Sequence, residues 1–217
     1  MRREKEMKIA PTAEDERFAK EVYERFRAKP GSARIASAFA LAYLAALLRE
    51  RKPRSVLELG AGIGTVTWAL LAHPAGVERV VATEDVPFCL DQLEHNLDQE
   101  MKNRLHIITK SEEFASVQGP FELLIIDGVW DWEAVAARLR EGSACFVEGQ
   151  RKRERADLRE VLRRRNLDCV LTPYRRGFRI QFTWEWPTPG GVLRVRPRMR
   201  LNKRPIKGCW VGEVKAF

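Results

Sequence analysis

Three glycines stand at alternate positions, Gly60, Gly62 and Gly64, in the run SVLELGAGIGTVTWALL that begins at Ser55. An apolar segment holding Glu58 lies directly before them. A glycine turn between a strand and a helix commonly holds phosphate, through converging backbone N–H groups and the positive helix end. Here the spacing is G-x-G-x-G, with Thr65 where a dinucleotide fingerprint has its last glycine, and no Gly-Lys-Ser/Thr follows. Glu58 would repel a polyanion and favour a ligand carrying an ammonium or other cation. A nucleoside with a cationic tail fits both features. Further carboxylates, Glu84, Asp127 and Glu148, each end an apolar run, and Ser111 closely follows another.

The elements that must position these groups are legible from pattern. Thr12 and Asp15 form a capping-box signature for a first helix reaching about Ala28. Pro30-Gly31 stops it before a second helix, Ser32 to Arg51. The runs SVLEL, RVVATE, RLHIIT, ELLIID and SACFVE are short and aliphatic, as buried parallel strands are. Helical patterns lie between them at Thr65 to His73, Pro87 to Lys102, Trp132 to Arg140 and Arg151 to Asn166. LDCVLTPY and FRIQFTWEW, joined by Arg175, Arg176 and Gly177, suit an antiparallel pair. The alternation predicts an α/β doubly wound sheet, whose ligands sit beyond the carboxyl ends of the strands. Glu58, Glu84, Ser111, Asp127 and Glu148 would then border one crevice.

The run VLELGAGIGT, the acidic end of VVATEDVP, the helix ending in Asn96-Leu97, and the later LLIIDG and FVEG together resemble the class I S-adenosylmethionine-dependent methyltransferases. Small-molecule O-methyltransferase-like members are the nearest match, over about Ser32 to Trp186. The resemblance implies a Rossmann-like, mostly parallel seven-stranded sheet in the order 3-2-1-4-5-7-6, with strand 7 antiparallel. It implies S-adenosylmethionine as cofactor, with the backbone of Gly60, Ala61, Gly62 and Gly64 passing under its methionine part. Glu58 would organise the ammonium and Glu84, with Asp85 as neighbour and competitor, the ribose hydroxyls. After the third strand the family often has an Asp for adenine, where this chain has KSEEF, so Ser111 and Glu112 occupy the corresponding positions.

Methyl transfer from a sulfonium is an in-line displacement in which positioning supplies much of the rate, and a base is needed only for an acidic nucleophile. Asp127 is the candidate catalytic residue, at the end of the fourth strand. Cation-dependent O-methyltransferases also place an Asp there, but follow their fifth strand with Asp-Asn, where this chain has Glu148-Gly149-Gln150. No metal is expected. The Asn/Asp-Pro-Pro-aromatic motif of amino-methylating enzymes is replaced by DGVWDW, and Cys145 lies inside a strand rather than in a nucleophile's position. A small-molecule acceptor is the expectation, with Trp130 and Trp132 either walling its pocket or packing on the sheet.

The net charge of +9 is unevenly spread. Residues 1–150 hold 20 Lys/Arg against 24 Asp/Glu, whereas 151–217 hold 19 against 6. One methyltransferase-like domain is expected: N-terminal helices in 1–52, the Rossmann-like core in 53–186, and a basic C-terminal extension in 187–217. In that extension VLRVRPRMRL alternates Arg194, Arg196, Arg198 and Arg200 with apolar residues, an arginine comb suited to nucleic acid or another anionic macromolecule. It would equally suit a charge-protected edge strand, or a tail binding a second subunit in a homo-oligomer. A methyltransferase-like domain that binds through this part without catalysing is the alternative reading. The four cysteines are scattered without C-x-x-C, and AFALAYLAALL is too short to span a membrane. No membrane partner and a cytoplasmic location are expected.

Overall fold

A computed structural model describes residues 9–128, 130–149, 151–185 and 198–216. Helix α1 (Ala13–Arg27) begins with the predicted capping box: the Asp15 N–H donates to Thr12 Oγ1 at 3.3 Å, and the Thr12 N–H to Asp15 Oδ2 at 2.8 Å. The second helix does not start at Ser32. Ser32–Arg34 make one 3₁₀ turn, the chain extends through Ile35, and α2 (Ala38–Arg51) opens where Ser37 Oγ accepts the Ala40 N–H at 3.2 Å. Ser37 satisfies an otherwise orphaned helix N–H, so the boundary moves to it and leaves Gly31–Ala36 as a separate covering segment.

The strands β1 (Ser55–Leu59), β2 (Arg79–Thr83), β3 (Leu105–Ile108), β4 (Leu123–Ile126) and β5 (Ala144–Glu148) are parallel, with β6 (Leu167–Glu185) and β7 (Arg198–Ala216) completing one sheet. The order is β3-β2-β1-β4-β5-β7-β6, with β7 antiparallel to both its neighbours, as the resemblance implied. Helices α3 (Thr65–Ala72), α4 (Pro87–Asn96), α5 (Gln99–Asn103), α6 (Ser111–Phe114), α7 (Trp132–Ala136) and α8 (Lys152–Arg164) connect the strands. Successive strand residues serve opposite cores: Val56, Ile125 and Phe146 pack with α2 and α3, while Leu57, Leu124 and Val147 pack with α7 and α8. That two-sided burial explains the nearly continuous aliphatic runs. Among the described residues no helix is long and apolar enough to cross a membrane.

Three expectations are corrected. The helix expected over Pro87 to Lys102 breaks at Leu97, because Asp98 Oδ1 takes the Met101 N–H at 2.8 Å and caps a new helix. LDCVLTPY and FRIQFTWEW do not fold back on each other. They are one continuous strand, β6, paired from Leu167↔Ala216 to Glu185↔Arg198 with β7. The first half of β6 must bury Cys169 inside the sheet, and Cys209, Val211 and Val214 of β7 supply apolar partners on that sheet. Within the expected extension 187–217, the described residues Arg198–Ala216 are not an appendage to the sheet, because they form β7 in its interior. Pairing with β5 ends at Glu148↔Cys209, and residues 175–185 and 198–208 continue as a two-stranded ribbon. Arg198 and Arg200 begin β7 opposite Glu185 and Thr183, while Arg194 and Arg196 lie outside the described residues.

Candidate active site

The glycine loop leaves β1 and is stitched to the end of β2. The Gly60 N–H reaches both the carbonyl oxygen and Oγ1 of Thr83, at 3.2 and 3.1 Å, and the Ala61 N–H donates to the same carbonyl at 3.0 Å. Gly60 has φ +87°, and a Cβ there would approach the Gly128 nitrogen to 3.0 Å, so the loop after β4 can lie against it only while it is glycine. Gly62 differs: a Cβ there would meet nothing within 4 Å, so its backbone faces open space. Gly64 precedes Thr65 as the N-cap of α3.

Glu84, immediately after β2, is 9% exposed and holds this loop from the other side. Its Oε2 accepts the Gly62 N–H at 2.7 Å, and its Oε1 accepts the N–H groups of Asp85 and Val86 at 3.1 and 3.0 Å. Asp85 is exposed beside it. Beneath the loop, Glu58 is 1% exposed; its Oε2 accepts the Thr67 hydroxyl at 2.8 Å, and its Oε1 has no partner. Burial pushes the Glu58 carboxyl up to about 8, with Asp127 and Glu84 adding to the rise against the Thr67 hydrogen bond. Burial also raises Asp127, against the opposing pull of the Arg151 guanidinium that pairs with it. Glu148 is pushed up to about 7 by burial and by Asp127, offset by Arg151 and by the Ser37 backbone N–H. Carboxylates thus crowd one end of the sheet, and the cost of burying their charge makes the place receptive to a cation.

A cavity of about 530 Å³ opens there, within the size range of small-molecule sites. Gly60, Ala61, Gly62, Glu84 and Asp127 line it, so five predicted residues meet in one space. Ser111 and Glu112 begin the short α6, are exposed, and do not line it; Gly64, Asp85 and Glu148 are not on its wall either, and Glu58 lies buried beneath the loop rather than on the wall. Trp130 and Trp132 pack against the α7–α8 core, Trp130 with its ring centroid 5.8 Å from that of Phe114, and neither lines the cavity. Among the described residues no cluster of His, Cys, Asp or Glu is arranged to hold a metal ion.

Two parts of this cavity escape the sequence reading. The Gly31–Ala36 segment forms one wall and brings Arg34 to it, and Arg151, placed just before α8, forms another. The first had a signal in Ser37, a better N-cap than Ser32 because an apolar helix follows it directly. Arg151 had only its position three residues after Glu148.

No protein-family model matches the sequence, and no curated protein matches it. Solved structures do resemble the fold. An S-adenosylmethionine-dependent O-methyltransferase from Thermotoga maritima is similar at a TM-score of 0.58 and 15% identity, over 92% of this chain and 71% of that one. An O-methyltransferase from Bacillus cereus in complex with SAH gives 0.53 at 14% identity, over 94% and 92%. A tRNA (m1A58) methyltransferase from Aquifex aeolicus gives 0.54 at 18% identity, over 90% and 76%. At such identities the likeness establishes the fold, which is the Rossmann-like fold of these methyltransferases.

Proposed function

We propose that the protein is an S-adenosylmethionine-dependent methyltransferase acting on a heteroatom of a small molecule. The observation that carries this is the unpartnered, buried Glu58 Oε1 beneath a glycine loop whose backbone at Gly62 faces open space. A buried carboxyl without a partner is costly, and an ammonium, directly or through water, would satisfy it. The donor set fits the cofactor as well: Gly60, Ala61, Gly62 and Gly64 for the methionine part, and Glu84 beside Asp85 for the ribose. Ser111 and Glu112 are assigned to the adenine end by their place after β3. Once bound, the cofactor would supply an electrophilic methyl group on sulfur for an in-line displacement. Asp127, on the cavity wall, orients the acceptor or takes its proton.

The four cysteines are free thiols, which accords with a cytoplasmic location. A partner reading rests on the ribbon. Residues 175–185 and 198–208 contain eight Lys/Arg and one Glu. Their register opposes Arg179 to Arg204 and Arg176 to Lys207. A basic run of this kind suits the phosphates of a nucleic acid.

Calorimetry with S-adenosylhomocysteine tests the cofactor reading. Binding by the intact protein is expected, and Glu84→Ala should weaken it by about 1.5–3 kcal/mol as a charge-assisted hydrogen bond is lost. No heat of binding from the folded parent would end the proposal.

A further inference from the structure

Arg151, which lines the cavity, differs from the arginines whose guanidinium forks are fully engaged. Arg159 grips Asp168 with two prongs, Nε to Oδ1 and Nη2 to Oδ2, both at 2.9 Å. Arg138 directs Nε, Nη1 and Nη2 to carbonyl oxygens of Val117, Ala134 and Phe114. These are structural arrangements that engage the guanidinium fork. Arg151 instead meets Asp127 through Nη2 alone, and its Nη1 lies 3.9 Å from Glu154, beyond a hydrogen bond. It lines the cavity with its side chain 32% exposed. A guanidinium has five donors, so this contact leaves capacity for a second anion. The backbone at Arg151 has φ +27° and ψ +50°, an uncommon conformation for a non-glycine residue and one found preferentially where a site constrains the chain. Arg34, exposed on the covering segment, lines the same cavity. Among carboxylates that attract the cofactor's cation, these two guanidiniums provide the cavity's opposite preference.

We propose that Arg151 is an exchangeable anion receptor, paired with Asp127 until it passes to a carboxylate or phosphate group of the acceptor, which is therefore an anionic small molecule. As a statement about the acceptor this rests on the methyltransferase reading. The exchange trades one carboxylate–guanidinium pair for another of like kind, so neither state strands Arg151 without a partner. It also leaves Asp127, with its side chain 23% exposed, without its cation as the acceptor arrives. Burial then acts on Asp127 unopposed, raising its proton affinity where an acceptor's proton must go. Occupation of the anion site and activation of the base are thereby coupled.

Nuclear magnetic resonance titration of the intact protein with benzoate, and separately with inorganic phosphate, at constant ionic strength in chloride, tests the exchange. One of the two should bind, and which one identifies the acidic group. Arg151→Gln should weaken that binding about tenfold or more, the loss of a charge-assisted contact. Asp127→Asn should tighten it several-fold, because the internal competitor is gone, and a gain of affinity cannot come from misfolding. Failure of the folded parent to bind either anion, or equal affinity in both variants and the parent, overturns the proposal. Calorimetry with S-adenosylhomocysteine on the same samples separates the two readings: anion exchange without cofactor binding would strike the methyltransferase assignment and leave the receptor standing.

Discussion

Glu58 carries a burial cost that its proposed ligand would remove. Its carboxyl is held at about 8 by burial. A carboxyl raised above its unfolded value contributes stability at low pH that is lost as pH rises through the folded value. Glu58→Gln, which can still accept from Thr67, should therefore raise the melting temperature near pH 8 by roughly 2–4 °C, about 1 kcal/mol for a chain of this size. Binding of a cation has the opposite sign. It favours the ionised form, so cofactor affinity should climb with pH up to about 8 and level off above it, and Glu58→Gln should lose both affinity and that slope. A parent whose affinity is flat from pH 6 to 9 would disconnect Glu58 from the ligand. Asp127 is tested by separating turnover from folding. Asp127→Asn keeps the shape, and single-turnover methyl transfer should fall roughly a hundredfold to ten-thousandfold while the melting temperature stays within about 4 °C. Full transfer in a destabilised variant would make Asp127 a structural residue.

At the level of elements, β7 decides whether the sheet exists as described. It pairs Gly212 with Cys145 of β5 and with Leu171 of β6. A Cβ on Gly212 would collide with the Val170 carbonyl oxygen, which is backbone and cannot swing aside. Gly212→Ala should destabilise by more than about 3 kcal/mol, read from denaturant unfolding, because the strands must separate to admit one methyl group. A change below about 1 kcal/mol would mean that β7 does not lie between β5 and β6 at this register. The covering segment shows the same dependence on one element boundary. Ser37, whose Oγ opens α2, also gives its backbone N–H to Glu148, so the helix start and the end of β5 hold Gly31–Ala36 over the cavity together.

At the scale of the whole molecule the charge asymmetry takes a shape. Truncation at residue 187 would remove β7 and report on folding rather than on binding. The informative change replaces 176–207 by Asn-Gly, closing the Arg175↔Gly208 rung with a two-residue hairpin turn. This variant should fold and bind S-adenosylhomocysteine like the parent, while its affinity for single-stranded RNA should lose most of its salt dependence, whose slope scales with the phosphates contacted. An unchanged slope in the folded variant would remove nucleic acid from the ribbon's role.

The glycine loop and the acidic strand ends were legible in the sequence because each is local, a glycine spacing and a carboxylate closing an aliphatic run, and the alternation of periods gave the α/β class; the strand order came only from the family resemblance that these motifs carry. Gly60, Ala61, Gly62, Glu84 and Asp127 accordingly meet in one cavity. The tertiary structure alone decided that β6 runs straight through Arg175–Gly177, because pairing with a strand some thirty residues later competes with a local turn, and local pattern does not encode that competition. It likewise decided Arg151. A basic residue before a charged helix looks like solvated surface until β4 and β5, adjacent only in space, bring Asp127 beneath it.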